Sequence, residues 1–334
     1  QLLSVSEVNG TALSGNPLVI SGVTSLGAAF VVNANGSFTY DPTTSLELQK
    51  LPVNQSRQDS FRYKIRDNSA GPNVESNEAT VTLTVTGVND RPVSNDVSIN
   101  ATEDGAAVSA LFNSTDIDTG ETASLRYTIL TQPSEGTVTG SIAPGDAQFT
   151  FAPGTAFQDL GVGQTRQVTF TYRARDAQSV DSNIATVTVT VTGVNDVPVA
   201  RDVNVTTTED GPIVGDLFNV TDVDNDVLAF TIENSPSKGT ATLSGSSGFS
   251  FDPGSAFQSL RDGETELVTF TYKATETRAG GVASNKATVT VTIRGVNDAP
   301  QAVNDSNQTN EDTLLVVASS DTAALLKNDT DVDA

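Results

Sequence analysis

The sequence predicts an all-β protein of tandem Ig-like β-sandwich domains arranged as an elongated rod. Three observations carry that prediction: a six-residue segment that recurs at domain-sized intervals, strands of alternating Val and Thr before each recurrence, and no stretch of convincing helical periodicity. Gly87-Val88-Asn89-Asp90-Arg91-Pro92 returns as Gly193-Val194-Asn195-Asp196-Val197-Pro198 and as Gly295-Val296-Asn297-Asp298-Ala299-Pro300, at intervals of 106 and 102 residues, each the length of one sandwich domain.

The strands can be read in chain order within each repeat. Phe38-Thr39-Tyr40, Phe149-Thr150-Phe151 and Phe249-Ser250-Phe251 are each followed by one residue and then a proline, Pro42, Pro153 or Pro253, which cannot donate to a ladder. Phe61-Arg62-Tyr63, Phe170-Thr171-Tyr172 and Phe270-Thr271-Tyr272 follow as a second set. The last strand runs from Ala79 to Thr86, Ala185 to Thr192 and Ala287 to Arg294, where Val, Leu or Ile alternates with Thr. A period of two in β-branched residues gives one buried and one wet face. Gly, Asn, Asp and Ser clusters at roughly ten-residue spacing supply the turns of a Greek-key sandwich.

The expected domains are 1–91, 92–197, 198–299 and a partial unit, 300–334. Residues 301–334 resemble the opening of a further repeat, and the first unit lacks that opening, so Ala334 joined to Gln1 would read as one complete domain. The expectation is a segment of a longer tandem array. The alternative is donor-strand complementation, in which the last strands of one copy complete the first domain of the next. With no methionine, the chain is expected to be a processed or internal segment, with any signal or anchor outside it.

The charge balance is 41 acidic against 18 basic residues, a net of -23, which disfavours nucleic acid and anionic membranes as partners. Cysteine and histidine are absent, which removes disulfides, thiolate or imidazole zinc sites, and Ser-His and Cys-His nucleophilic catalysis. No apolar run approaches the roughly 18 residues that would span a bilayer, so no direct membrane insertion is expected. A chain this acidic must be solvated in salt or neutralise carboxylates with bound cations, and calcium is the hard cation that takes many oxygens.

The carboxylates keep a fixed register from the linker Asp. Glu103 and Asp104, Glu209 and Asp210, and Glu311 and Asp312 all follow at 13 and 14 residues. Asp116 and Asp118, then Asp222 and Asp224, follow at 26 and 28, with Asp331 and Asp333 later in the partial unit. An acid also stands four residues after each strand Tyr, at Asp67, Asp176 and Glu276. Asp-x-Asp on an extended backbone points two carboxylates the same way, and six to eight oxygens at about 2.3 to 2.6 Å satisfy calcium. Turn formation and solubility would explain the residue types, but not the same acids at the same offsets in three units.

Taken together, the alternating last strand, Gly-Val-Asn-Asp-x-Pro, Glu-Asp and Thr-Asp-x-Asp resemble the bacterial cadherin-like and VCBS-type tandem repeats of large RTX-type surface adhesins. The resemblance covers essentially the whole chain, and Asn35-Gly36-Ser37-Phe38-Thr39-Tyr40-Asp41-Pro42 brings the first unit nearest the VCBS pattern. It implies calcium between domains, held by Asn89, Asp90, Asn195, Asp196, Asn297 and Asp298 with Asp116, Asp118, Asp222 and Asp224. Glu276 departs from the Asp of the cadherin pattern, and the linker proline comes one position early.

The function so implied is a non-enzymatic, secreted or cell-surface stalk or filament stiffened by calcium at its linkers. Its expected partners are neighbouring copies or flanking repeats, with surface glycans and other surface proteins beyond them. The alternative is an array of carbohydrate-binding modules, which the lack of Trp and the core placement of the Phe and Tyr sets disfavour. Hydrolysis by a carboxylate pair fits poorly with acids repeated in every unit.

Overall fold

The computed structural model describes residues 2–13, 19–70, 74–211, 214–322 and 324–333. In the first domain, β1 (Leu3–Val8), β2 (Thr11–Ala12), β3 (Val19–Val23), β4 (Ala29–Asn33) and β5 (Phe38–Asp41) precede a 3-10 turn at Pro42–Thr44 and one helical turn, α1 (Leu46–Gln49). β6 (Ser56–Asp67) and β7 (Ala79–Thr86) complete it. One sheet has the order β2-β1-β6-β7 and the other β3-β4-β5. Val5, Val8, Phe30, Val32 and Phe61 fill the space between them, with Phe30 stacked on Phe61 at 4.8 Å. The helical turn is too short to leave a period in the sequence; Ser45 caps it through Leu48 N at 3.3 Å.

The second domain comprises β8 (Val93–Asn95), β9 (Val97–Thr102), β10 (Val108–Leu111), β11 (Asn113–Thr115), β12 (Arg126–Ile129), β13 (Thr137–Gly140), β14 (Gln148–Ala152), β15 (Thr165–Arg175) and β16 (Ala185–Thr192). Its sheets have the orders β12-β15-β16-β9 and β10-β14-β13, with β11 paired to β8. The third domain repeats this plan with β17 (Val199–Arg201), β18 (Val203–Thr208), β19 (Val214–Leu217), β20 (Asn219–Thr221), β21 (Leu228–Asn234), β22 (Thr240–Ser244), β23 (Gly248–Asp252), β24 (Thr265–Glu276) and β25 (Ala287–Arg294). Its orders are β18-β25-β24-β21, β19-β23-β22 and β17-β20.

Alternation in the last strand does what its period demands. Val187, Val189 and Val191 of β16, and Val289, Val291 and Ile293 of β25, are fully buried, while the intervening Thr residues lie half-exposed on the other face. Each such side chain contributes about 1.5–3 kcal/mol of burial. The aromatic strand residues are core as well. Tyr172 and Tyr272 are fully buried, and their hydroxyls donate to the carbonyls of Asn95 and Arg201, both at 2.6 Å. Each hydroxyl also accepts a main-chain N–H, from Asn113 at 3.1 Å and Asn219 at 3.2 Å.

Two compact units divide the described chain: Gln1–Phe157 with Thr165–Thr192, and Gln158–Gln164 with Gly193–Ala334. Within residues 301–333 the expected opening strands do not form among the described residues. One isolated bridge joins Gln301 to Thr330. Its register matches Val93 with Thr115 and Val199 with Thr221 in the complete repeats. The next strands there, β9 and β18, pair in parallel with a last strand some ninety residues downstream, a pairing not seen among the described residues of 301–333. Ala334 and Gln1, on which the end-to-start reading turns, lie outside the described residues.

Candidate metal centre

The linker motif begins with a glycine because the chain passes too close to a neighbouring main chain for any side chain. A Cβ on Gly87, Gly193 or Gly295 would overlap the carbonyl oxygen of Leu51, Leu160 or Arg261 respectively. Each glycine N–H donates across the same gap, to Gln55 at 2.8 Å, Gln164 at 2.9 Å and Glu264 at 2.8 Å. The glycine thereby fixes where the following Asn-Asp emerges.

Asp-x-Asp then grips that linker in the same way three times. Asp118, Asp224 and Asp333 accept the main-chain N–H of Asp90, Asp196 and Asp298 at 3.0, 2.8 and 2.7 Å. In each pair the first Asp accepts the N–H of the second, Asp116 from Asp118 at 2.9 Å, Asp222 from Asp224 at 3.0 Å, and Asp331 from Asp333 at 2.9 Å. The loop also touches the domain before it: Thr119 donates to the Lys50 carbonyl through its N–H at 3.1 Å and its hydroxyl at 2.9 Å. Arg261 Nε donates to the Asp333 carbonyl at 2.9 Å.

At the first linker Asp116, Glu121 and Asp176 each bring one carboxylate oxygen to within 4.8 Å of the others. Two oxygens at about 2.4 Å from one calcium ion lie up to about 5 Å apart, so the spacing fits that ion. Asn89 Nδ2 donates to Asp176 at 2.9 Å, which brings the amide to the same place. Asp118 and Glu121 are more than nine-tenths buried. Four buried oxygens there, Asn89 Oδ1, Asp116 Oδ2, Asp118 Oδ1 and Glu121 Oε2, have no hydrogen-bond partner. A buried acceptor without a partner is costly, and a cation is a ligand that can satisfy several acceptors at once. The electrostatics agree: burial, and then the neighbouring carboxylates, push Asp116 and Glu121 above the ordinary carboxylate range, against opposing hydrogen bonds from Asp118 N and Gln178. Burial and the Asp118 charge raise Asp90 likewise.

In the third domain Asp222, Asp226 and Glu276 form the corresponding group. Asn195 Nδ2 donates to Glu276 at 2.9 Å, as Asn89 does to Asp176. Here, however, an arginine enters the group. Arg278 Nε lies 2.9 Å from Asp226 and donates to Glu276 at 3.0 Å, and its Nη2 donates to Asn195 Oδ1. Burial raises Glu276, but hydrogen bonds from Val282 N, Asn195 and Arg278 outweigh it and hold the carboxyl below its ordinary value.

A third group combines Glu209, Asp298 and Asp333. The parallel pairing of β18 with β25 carries Glu209 to the exit linker, where its N–H donates to Arg294 at 3.0 Å and its Oε1 accepts Val296 N at 2.8 Å. Glu209 Oε2, Asp298 Oδ2 and Asp333 Oδ1 are buried without a hydrogen-bond partner.

Of the remaining sequence-predicted residues, Glu103 is buried at the end of β9, its N–H donating to Thr192 at 3.1 Å. Asp104, Asp210, Glu311 and Asp312 are exposed and stand outside these groups, as does Asn297, whose amide donates to the Asp298 carbonyl. Asp67 accepts Ser69 N at 2.9 Å in a turn. Sequence reasoning missed Glu121 and Asp226. Both lie in the turn just past Asp-x-Asp, and their acidity was the available signal, but they sit five and four residues after Asp116 and Asp222 and so share no common offset.

The first domain handles a buried acid differently. Asp59 is 1% exposed and accepts from Leu26 N at 3.0 Å, Ser60 N at 2.8 Å, Ser25 Oγ at 3.0 Å and the Tyr40 hydroxyl at 2.9 Å, as well as Thr24 Oγ1. Burial pushes Asp59 up, and these hydrogen bonds overcome that and keep it below the ordinary range. Tyr40 is raised by burial and by the Asp59 bond.

The sequence model of the bacterial cadherin-like domain matches residues 89–193 and again 195–295. That of the bacterial Ig domain matches residues 2–86. No curated protein matches the chain. Among solved structures, mouse clustered PcdhgC3 EC1-3 is 14% identical with a TM-score of 0.46, covering 83% of this chain and 88% of that one. Human CDH23 EC21-23 is 18% identical with a TM-score of 0.46, covering 87% of each. The endo-fucoidan hydrolase MfFcnA4 from glycoside hydrolase family 107 is 14% identical with a TM-score of 0.26, covering 86% of this chain and 39% of that one.

Proposed function

Because this chain belongs to the bacterial cadherin-like domain family, we propose that it is an extracellular adhesive or stalk segment whose linkers are made rigid by calcium. The observation that carries the reading is the set of buried oxygens at the first linker with no hydrogen-bond partner, on Asn89, Asp116, Asp118 and Glu121. Asn89, Asp116, Glu121 and Asp176 would hold the ion, and Glu209, Asp298 and Asp333 would hold another at the last linker. Calcium would supply positive charge and would take six to eight oxygens, more than the carboxylates of one segment provide.

The residues themselves supply the coupling. Asp118 binds the Asp90 N–H while Thr119 binds the Lys50 carbonyl, so the Asp-x-Asp loop is fastened to the linker and to the preceding domain at once. Mutually repelling carboxylates oppose that docked arrangement, and a cation among them reverses the sign. Binding that requires the docked geometry adds about 2.7 kcal/mol of stability at a hundredfold excess over Kd. Neighbouring repeats or copies of the chain are then its partners. Residues 300–333 expose Leu314, Val316, Leu325 and Leu326, which supports the further reading that they complete a domain of a neighbouring copy.

The test is thermal melting and limited proteolysis of the chain in EGTA and in millimolar calcium, with D116N/D176N beside it. Calcium should raise Tm and protect the bond region around Asn89 in the parent chain only. Equal melting of the parent with and without calcium would remove the mechanism while leaving the sandwich domains in place.

A further inference from the structure

The two cadherin-like repeats build the same acidic pocket but differ in the charge they set against it. In the second repeat the pocket consists of Asp116, Glu121 and Asp176, and no lysine or arginine forms a salt bridge with any of them among the described residues. In the third it consists of Asp222, Asp226 and Glu276, and Arg278 lies within it. Counted from the acid after the strand Tyr, Arg278 stands where the second repeat has Gln178, two residues on in both cases.

The contrast is sharpest at one atom. Asn89 and Asn195 occupy the same linker position, and each amide donates at 2.9 Å to the acid after the Tyr, Asp176 or Glu276. The other end of that amide differs. Asn89 Oδ1 is buried and has no hydrogen-bond partner, whereas Asn195 Oδ1 accepts from Arg278 Nη2. The same guanidinium spans to Glu276 at 3.0 Å and to Asp226 at 2.9 Å. A planar fork of five donors is suited to join one amide oxygen and two carboxylates, which a point charge such as lysine would not reproduce. Gln178, by contrast, brings Glu121 a neutral amide at 2.9 Å and leaves the charge of its pocket as it is.

We propose that Arg278 is a built-in cation that takes the place of a metal ion in the third repeat's acidic pocket. Arg278 therefore cancels one of this pocket's three carboxylate charges without calcium, pairing Asp226 and Glu276 and leaving Asp222 Oδ2 buried without a hydrogen-bond partner, while the counterpart in the second repeat depends on calcium for its compensation. The inference rests on the calcium reading of the second repeat given above. It assigns the two pockets opposite behaviour: one is a switch that follows calcium, and the other a permanent clasp between Asn195 and the loop after β24.

Two reciprocal variants of the full chain test it, read by calorimetric calcium titration and by melting in EGTA. R278Q installs the residue of the second repeat in the third. It should bind one more calcium ion than the parent, or bind it roughly tenfold tighter or more, and its lowered Tm in EGTA should recover in calcium. Q178R places the arginine in the second repeat, at an exposed position. It should lose one calcium ion, or bind it roughly tenfold more weakly or worse, and should melt higher than the parent in EGTA. If the parent binds calcium and loses it in D116N/D176N, yet Q178R binds as the parent does, the inference is overturned while the second-repeat site stands. An R278Q protein that folds and binds calcium no differently from the parent overturns it equally. R278Q that folds only in calcium supports it, and R278Q that folds in neither leaves Q178R to decide alone. If neither the parent nor R278Q takes up calcium, the reading it depends on falls and takes this one with it.

Discussion

Asp333 accepts the main-chain N–H of Asp298 at 2.7 Å across thirty-five residues, the same bond that Asp118 makes to Asp90 and Asp224 to Asp196 across twenty-eight. Seven extra residues are looped out without disturbing it. The bridge of Gln301 to Thr330 sets the register just ahead of the Asp-x-Asp, as Val93 with Thr115 and Val199 with Thr221 do in the complete repeats. The grip on the linker is thus a property of the bridge and the two Asp residues, not of the chain length between them.

Replacing Asp118 separates its two roles. D118N keeps an acceptor for the Asp90 N–H and loses the charge, so it should melt close to the parent in EGTA and lose the calcium-dependent rise. D118A removes the acceptor as well and should lower Tm in EGTA too, by the equivalent of about 1–3 kcal/mol. Identical melting curves for the two variants in EGTA would show that the hydrogen bond does not hold the linker.

Gly87→Ala and Gly295→Ala should each destabilise their domain by about 1–3 kcal/mol, because the added methyl meets the Leu51 or Arg261 carbonyl and the main chain must move. Urea unfolding measures this directly. Gly36→Ala is a poor control, since Gly36 has a positive φ of 84° and is strained for a different reason.

Acid should unfold the first domain through Asp59. Its folded carboxyl lies below the ordinary value, so its contribution to stability is present above the unfolded pKa of about 3.9 and is lost as pH falls through the folded value. D59N should cost about 2–4 kcal/mol at neutral pH, because a buried amide cannot accept all five of the hydrogen bonds that the carboxylate receives. It should also flatten the acid limb of the pH profile for that domain. An unchanged acid limb in D59N would assign acid unfolding to other carboxylates.

Tyr172→Phe and Tyr272→Phe should each cost about 1–2 kcal/mol and leave calcium binding intact. Each removes a hydroxyl that links main-chain groups of two strands in the core and makes no hydrogen bond to a residue of the acidic groups. A change in calcium affinity would connect the core to the linker sites in a way these contacts do not.

Much of this protein was determined locally and could be read from the chain. Alternating Val and Thr in residues 185–192 and 287–294 dictate strands with one buried face, since the period of a strand is two and apolar area favours burial. Gly87, Asn89 and Asp90 mark the linkers by recurrence, and Asp116 with Asp118 mark a turn that aims carboxylates together. The short helix at Leu46–Gln49 and the partners of each acid were beyond reach, because four residues show no period and sequence offsets carry no information about which loops meet. Only the tertiary structure decided that Glu121 and Asp226 join the acidic groups while Asp104, Asp210, Glu311 and Asp312 stay in solvent. Only the tertiary structure, too, put Arg278 against the carboxylates of Asp226 and Glu276 and left the equivalent pocket with Gln178, and the reason is physical: charge compensation depends on distance in space, falling off over a few ångströms, and not on position along the chain.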